Sequence, residues 1–350
     1  MKRNLRDNIL LLLAPALGLS GTVVAGYMKI YDSFFKRYDR PNYEMKPGIN
    51  NIGRIDKKIK YENVEFYSDG IKLKGRYFKA SFSKGIVICA HGIHAGGDDL
   101  LPFALYFLQH HYSVLLFNYK GTYDSEGDST VGMCESLVDL DNAINFVKTD
   151  PRFDYQDIYL FGHSWGGYAV CSVLSLHKDI KAVASVSGLN DGYTMILEKG
   201  EEYAGKLADL PKPFLNYYQK YLFKDYVNYN STLGINNSNA KVLIAHGLED
   251  RVISYNYQAI IAHKNEFTNP NVRYYYGLGV NGYHSDILYS KEAFCYKKEV
   301  ESGLKLLKIN KNNELTDEDI KEYVSKIDHK KYSEVNKELM DEIIKMFNER

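Results

Sequence analysis

Within this 350-residue chain, the segment Gly162-His163-Ser164-Trp165-Gly166-Gly167 is the one whose residue types and spacing most directly suggest chemistry. An apolar run at 158–161 precedes it and a helical pattern at 168–174 follows, so Ser164 falls on a sharp strand-to-helix turn. Such a turn exposes the hydroxyl, and glycines on both sides let strand and helix approach closely. A serine hydroxyl is a poor nucleophile until a base takes its proton. Gly282-Tyr283-His284-Ser285-Asp286 offers that base on a loop, after a candidate strand at 272–276 and the glycine-rich turn 277–282. The other histidines fit less well: His110 and His111 end a helix, His177 and His263 lie on or near helices, and His329 is in the tail. An acid that orients the imidazole should follow a strand end between the two. Ala245-His246-Gly247-Leu248-Glu249-Asp250-Arg251-Val252 supplies two, Glu249 and Asp250. Either could instead cap a helix expected near Ser254 or be a solvated loop charge. Together these residues would attack an acyl carbonyl.

The elements needed to position them follow from hydrophobic patterning. Short apolar runs at 86–90, 114–117, 158–161, 182–186 and 242–245 have the continuous character of strands buried on both faces of a parallel sheet. Helical spacing at 100–110, 133–148 and 165–176 supplies the crossovers, and 62–68 with 71–80 form a hairpin around Asp69-Gly70. The class is α/β, doubly wound. The alternation breaks at Gly188, and 189–238, with Pro211, Pro213 and the aromatic-rich stretch 214–223, is expected as a helical insertion over the sheet. A core domain of 60–310 results. Beyond it, 311–350 contains two amphipathic helices, one started by Thr316 and Asp319 in capping-box spacing and one headed by Ser333. They are expected to pack back as an appendage, with a partner or dimer contact as the alternative.

At the other end, the 21 positions 8–28 carry no charge. This suffices to span ~30 Å of hydrocarbon, so 1–30 are expected to form a transmembrane anchor or uncleaved signal, followed by a polar linker over 31–59. A cleaved signal peptide and a buried helix are the alternatives. Charges flank the run on both sides, which leaves the side of the domain open, the extracytoplasmic one being preferred. Lys plus Arg and Asp plus Glu balance at 44 each, so no global field draws the chain to nucleic acid. The 31 tyrosines form no repeat. Cys89, Cys134, Cys171 and Cys295 lie far apart without metal spacing, and buried free thiols are expected.

The order of these motifs, with the glycine-flanked serine and the early His91-Gly92, resembles the α/β-hydrolase superfamily over roughly residues 60–308. The resemblance implies a mostly parallel sheet with helices on both faces and a helical cap after the sixth strand. It selects Asp250 over Glu249 as the acid. It also implies that the backbone N–H groups of Ile93, within Ala90-His91-Gly92-Ile93-His94-Ala95-Gly96-Gly97, and of Trp165 form the oxyanion hole. Lys120-Gly121-Thr122-Tyr123-Asp124-Ser125-Glu126-Gly127 is similar to a turn that is structural in that family. The chain looks most like bacterial membrane-anchored or secreted hydrolases similar to serine aminopeptidases and monoacylglycerol lipases. The expected reaction is hydrolysis of an acyl ester through an acyl-enzyme, without cofactor or metal, on a small acyl or peptide substrate. A peptidase acting at a free N-terminus and a membrane-tethered, non-catalytic binding protein are the rivals. Oligomeric state is left open.

Overall fold

The computed structural model describes residues 19–153, 156–205, 211–311 and 314–349. It opens with α1 (Leu19–Phe34), then β1 (Glu62–Ser68) and β2 (Ile71–Phe78), an antiparallel hairpin turned at Asp69-Gly70. The alternating part comprises β3 (Ile86–Ala90), α2 (Leu101–Gln109), β4 (Ser113–Phe117), α3 (Glu135–Thr149), β5 (Ile158–His163), α4 (Trp165–Ser172) and β6 (Ala182–Val186). Among the described residues three α-helices, α5 (Gly192–Ala204), α6 (Lys212–Phe223) and α7 (Ser231–Asn236), separate β6 from β7 (Lys241–Gly247). After β8 (Val272–Gly277) come α8 (Lys291–Asn310), α9 (Asp317–Ser325), α10 (His329–Tyr332) and α11 (Lys337–Asn348). The strands form one sheet in the order β1-β2-β4-β3-β5-β6-β7-β8, with β3 to β8 parallel.

The apolar runs are strands because successive side chains enter opposite cores. Ile86, Ile88 and Ala90 face one core with Leu160, Val242 and Ile244, under α3 and α4. Val87 and Cys89 face the other with Phe161, Leu243 and Ala245, under α2 and α11. This two-sided burial fixes the register, and with it the level at which every strand ends and the site begins.

Four expectations are corrected. First, 31–59 is not a detached linker. Tyr31, Phe35 and Tyr43 are buried, Arg37 donates to the carbonyls of Tyr123, Ser125 and Gly127, and Arg40 pairs with Asp98 and Asp124. Second, the helix that carries the end of the apolar run does not stop at 28–30. Positions 1–18 lie outside the described residues, while α1 continues through Lys29 and Asp32 to Phe34. Met28 and Tyr31 of α1 and Phe35 beyond it form a helical-spaced stripe against the domain, Tyr27 donates to Ile196 O (3.0 Å) and Tyr31 accepts from Gln219 (2.9 Å). Among the described residues no helix is long and apolar enough to cross a membrane.

Third, the C-terminal segment is no mere appendage. Thr316 and Asp319 do form the capping box of α9, but the last helix starts after Asn336 rather than Ser333. Its Leu339, Met340, Ile343, Ile344, Met346 and Phe347 are core residues of the sheet. Fourth, no helix begins near Ser254. Residues 251–258 are turns, followed by a 3₁₀ segment at Ile260–Glu266. Three of the four cysteines are buried and all are unpaired.

Candidate active site

Ser164 stands between β5 and α4 with φ 57° and ψ −116°, a left-handed conformation that strains a non-glycine residue. The surrounding close approach leaves no room for side chains: a Cβ on Gly166 would lie 1.9 Å from the Ala90 carbonyl oxygen, and one on Gly162 2.3 Å from that of Gly166. Glycine is required at both positions, which accounts for the motif's spacing.

Strand ends and loops bring the expected residues together. His284 Nε2 lies 2.9 Å from Ser164 Oγ, and His284 Nδ1 lies 2.7 Å from Asp250 Oδ2. Asp250 is nearly fully buried. Its Oδ1 accepts the backbone N–H groups of Val252 (2.8 Å) and Ile253 (3.0 Å). Burial alone would raise its proton affinity, but the hydrogen bond and charge of His284 and the Ile253 N–H outweigh it and hold the carboxyl below its usual range. An ionised Asp250 accepts a hydrogen bond from the Nδ1–H of His284, which fixes the tautomer that leaves Nε2 with a lone pair toward the serine. Glu249, the neighbouring carboxylate, is exposed and makes no bond to His284.

The two expected backbone donors flank the serine. Trp165 is the first residue of α4, where an N–H has no partner within the helix. Ile93 follows Gly92, whose hypothetical Cβ would lie 3.5 Å from Ser164 Cβ. Among the described residues neither N–H meets a protein acceptor. His91 fixes the peptide that precedes Ile93. Its Nε2 accepts from Tyr119 N–H (3.2 Å), so its Nδ1 carries the proton and donates to Gly92 O (2.8 Å). In a trans peptide the C=O and the following N–H point in opposite directions, so pinning Gly92 O turns Ile93 N–H away from His91. Burial pushes the His91 imidazole down to about 4, which preserves this neutral tautomer at working pH.

Other contacts were not foreseen because their partners are backbone atoms. His246 Nε2 donates to Ile253 O (3.1 Å) and lies 3.3 Å from Asp250 Oδ2. The His284 carbonyl accepts from Ser187 Oγ and His163 Nε2. The sequence signal was His163 next to Ser164 and His246 four residues before Asp250, but their tautomers and directions are three-dimensional facts. The turn 120–127 is tied into the body by a buried Lys120–Glu135 pair and by Ser125, which bonds Asn118 O and Lys74 N.

This strand order and this strand-to-helix turn define an α/β-hydrolase fold. Within it, residues 82–233 match the family described as serine aminopeptidase, S33. A thiohydrolase of Aspergillus aculeatus is 30% identical over 133 residues, 37% of this chain and 42% of the relative. A polyketide transferase of a Penicillium species is 28% identical over 133 residues, 37% and 45% of the two chains. The chain thus spans less than half the length of these curated relatives. Among solved structures, an esterase of Pyrococcus furiosus superposes with a TM-score of 0.52 at 18% identity, covering 77% of this chain and 96% of its own. This likeness is one of fold.

Proposed function

We propose that this chain is a serine hydrolase that cleaves acyl esters through a covalent acyl-enzyme on Ser164. The observation that carries the reading is the continuous hydrogen-bonded relay Ser164 Oγ, His284 Nε2, His284 Nδ1 and Asp250 Oδ2, set at a strained turn. His284 takes the hydroxyl proton as Oγ attacks the acyl carbon, and the carbonyl oxygen becomes an oxyanion facing the N–H groups of Ile93 and Trp165. Such preorganised donors are each worth on the order of 3 kcal/mol to the transition state. His284 then gives its proton to the leaving alkoxide, and the ester bond breaks to leave the acyl group on Ser164. In the second half His284 takes a proton from water, which attacks the acyl-enzyme, and returns it to Ser164. Asp250 stabilises the imidazolium in both halves without itself taking the proton.

Esters come first because the similar proteins include a thiohydrolase by sequence and an esterase by fold, and because the insertion at 189–238 is rich in aromatic residues. A peptide with a free N-terminus is the second reading, favoured by the description of the matching family. With the purified full chain, hydrolysis of short p-nitrophenyl esters and inertness toward aminoacyl p-nitroanilides is the expected result. The reverse preference would replace the ester reading with the peptidase one.

A further inference from the structure

The loop carrying His284 is tied down before and after the base, where Gly282 O accepts from Glu249 N–H (2.9 Å) and Asn281 Nδ2 donates to Asp286 O (2.9 Å) and Tyr289 O (2.7 Å). Leu278 and Tyr283 on it are 64% and 37% exposed. The carbonyl oxygen of His284 accepts two hydrogen bonds, from Ser187 Oγ at 2.8 Å and from His163 Nε2 at 3.2 Å. A carbonyl only accepts, so Nε2 of His163 carries its proton, and both lone pairs of the oxygen are engaged.

The donors come from the rigid part of the fold. His163 is the last residue of β5 and directly precedes Ser164, while Ser187 directly follows β6. The three segments are laced together, since Ser164 N–H bonds Val186 O (2.9 Å) and Ser187 N–H bonds Ala245 O (2.8 Å). Ser187 is fully buried at φ 49°, in the left-handed region that a serine adopts only at a cost.

We infer that His163 and Ser187 are positioning residues that hold the base loop against the nucleophile turn through the carbonyl of His284. The inference rests on reading Ser164 and His284 as nucleophile and base. It gives His163 a reason to be where it is, because the residue that places the base is one peptide bond from the nucleophile the base must serve. Burial, with the nearby His284, pushes the His163 imidazole down to about 3. The ring stays neutral through the working range, keeps its donor proton, and brings no second positive charge to a site 5.1 Å from the base ring.

The test uses the full chain with Ser187→Ala, His163→Leu and His163→Gln, reading kcat and KM on a soluble p-nitrophenyl ester, the fluorophosphonate labelling rate and the melting midpoint. Ser187→Ala and His163→Leu are expected to lower kcat roughly 10- to 100-fold, as displacement of a catalytic group does, with KM within about twofold. His163→Gln, whose amide presents an N–H at similar reach, should recover most of the loss. Ser187→Ala removes one atom, so it reports even if His163→Leu folds poorly. Unchanged kcat in Ser187→Ala, or glutamine no better than leucine at 163, overturns the clamp while an active wild type keeps the serine-hydrolase reading. A folded wild type that neither labels nor turns over ester overturns both.

Discussion

Replacing His284 with alanine is expected to lower kcat for ester hydrolysis by roughly 10⁴-fold or more, with the melting midpoint nearly unchanged. The size follows from the chemistry of the nucleophile. An alcohol at neutral pH holds its proton, and the imidazole nitrogen 2.9 Å from Ser164 Oγ is the one base that reaches it among the described residues. Without it, attack must generate an alkoxide against its full proton affinity, and the leaving group departs without an acid. The two oxyanion donors remain, so a residual rate above water is expected. The fold should tolerate the change because His284 is only partly buried on an exposed loop, and its backbone carbonyl, not its ring, receives Ser187 and His163. Steady-state kinetics and a thermal melt on the same preparation check both halves. A drop of less than tenfold would remove His284 from its proposed role.

The second large effect concerns stability. Phe347→Ala is expected to cost about 3–5 kcal/mol, and truncation before α11 to prevent folding. Phe347 is 2% exposed, and its ring centroid lies 4.8 Å from Tyr159, 5.8 Å from Tyr112 and 5.9 Å from Phe107. These partners are on β5, just before β4 and on α2, so the last helix closes one face of the sheet. Removing it would expose Leu243 and Ala245 of β7 and take six buried side chains out of this core. A domain stable by only about 5–15 kcal/mol cannot absorb that. Urea unfolding of Phe347→Ala against wild type, with unchanged slope and a lower midpoint, is the expected outcome. A midpoint matching wild type would mean that the helix is the appendage its position in the chain suggests.

These two effects also mark where sequence reading succeeds and stops. The five strand runs were legible because continuous apolar residues have one good explanation, burial on both faces, and Ser164 and His284 because a strand, a turn and a loop each carry a local signal. The acid was not legible in the same way. Glu249 and Asp250 are adjacent and chemically alike, and only the turn at Gly247 decides which one faces His284. The stripe of α11 was visible, but an amphipathic stripe states that a helix must be covered and not by what. The segment 31–59 reads as a polar linker, yet Arg37 donates to three carbonyls of the turn after β4. Ser187, an unremarked serine after an apolar run, had no sequence signal at all.

The most direct test of the central claim is to treat the purified full chain with a fluorophosphonate probe and locate the adduct by peptide mass spectrometry, beside Ser164→Ala. The account predicts one adduct, on Ser164, absent from a normally folded Ser164→Ala. A folded wild type that stays unlabelled, or an adduct on another residue, would contradict it and bring forward a binding protein built on the hydrolase scaffold.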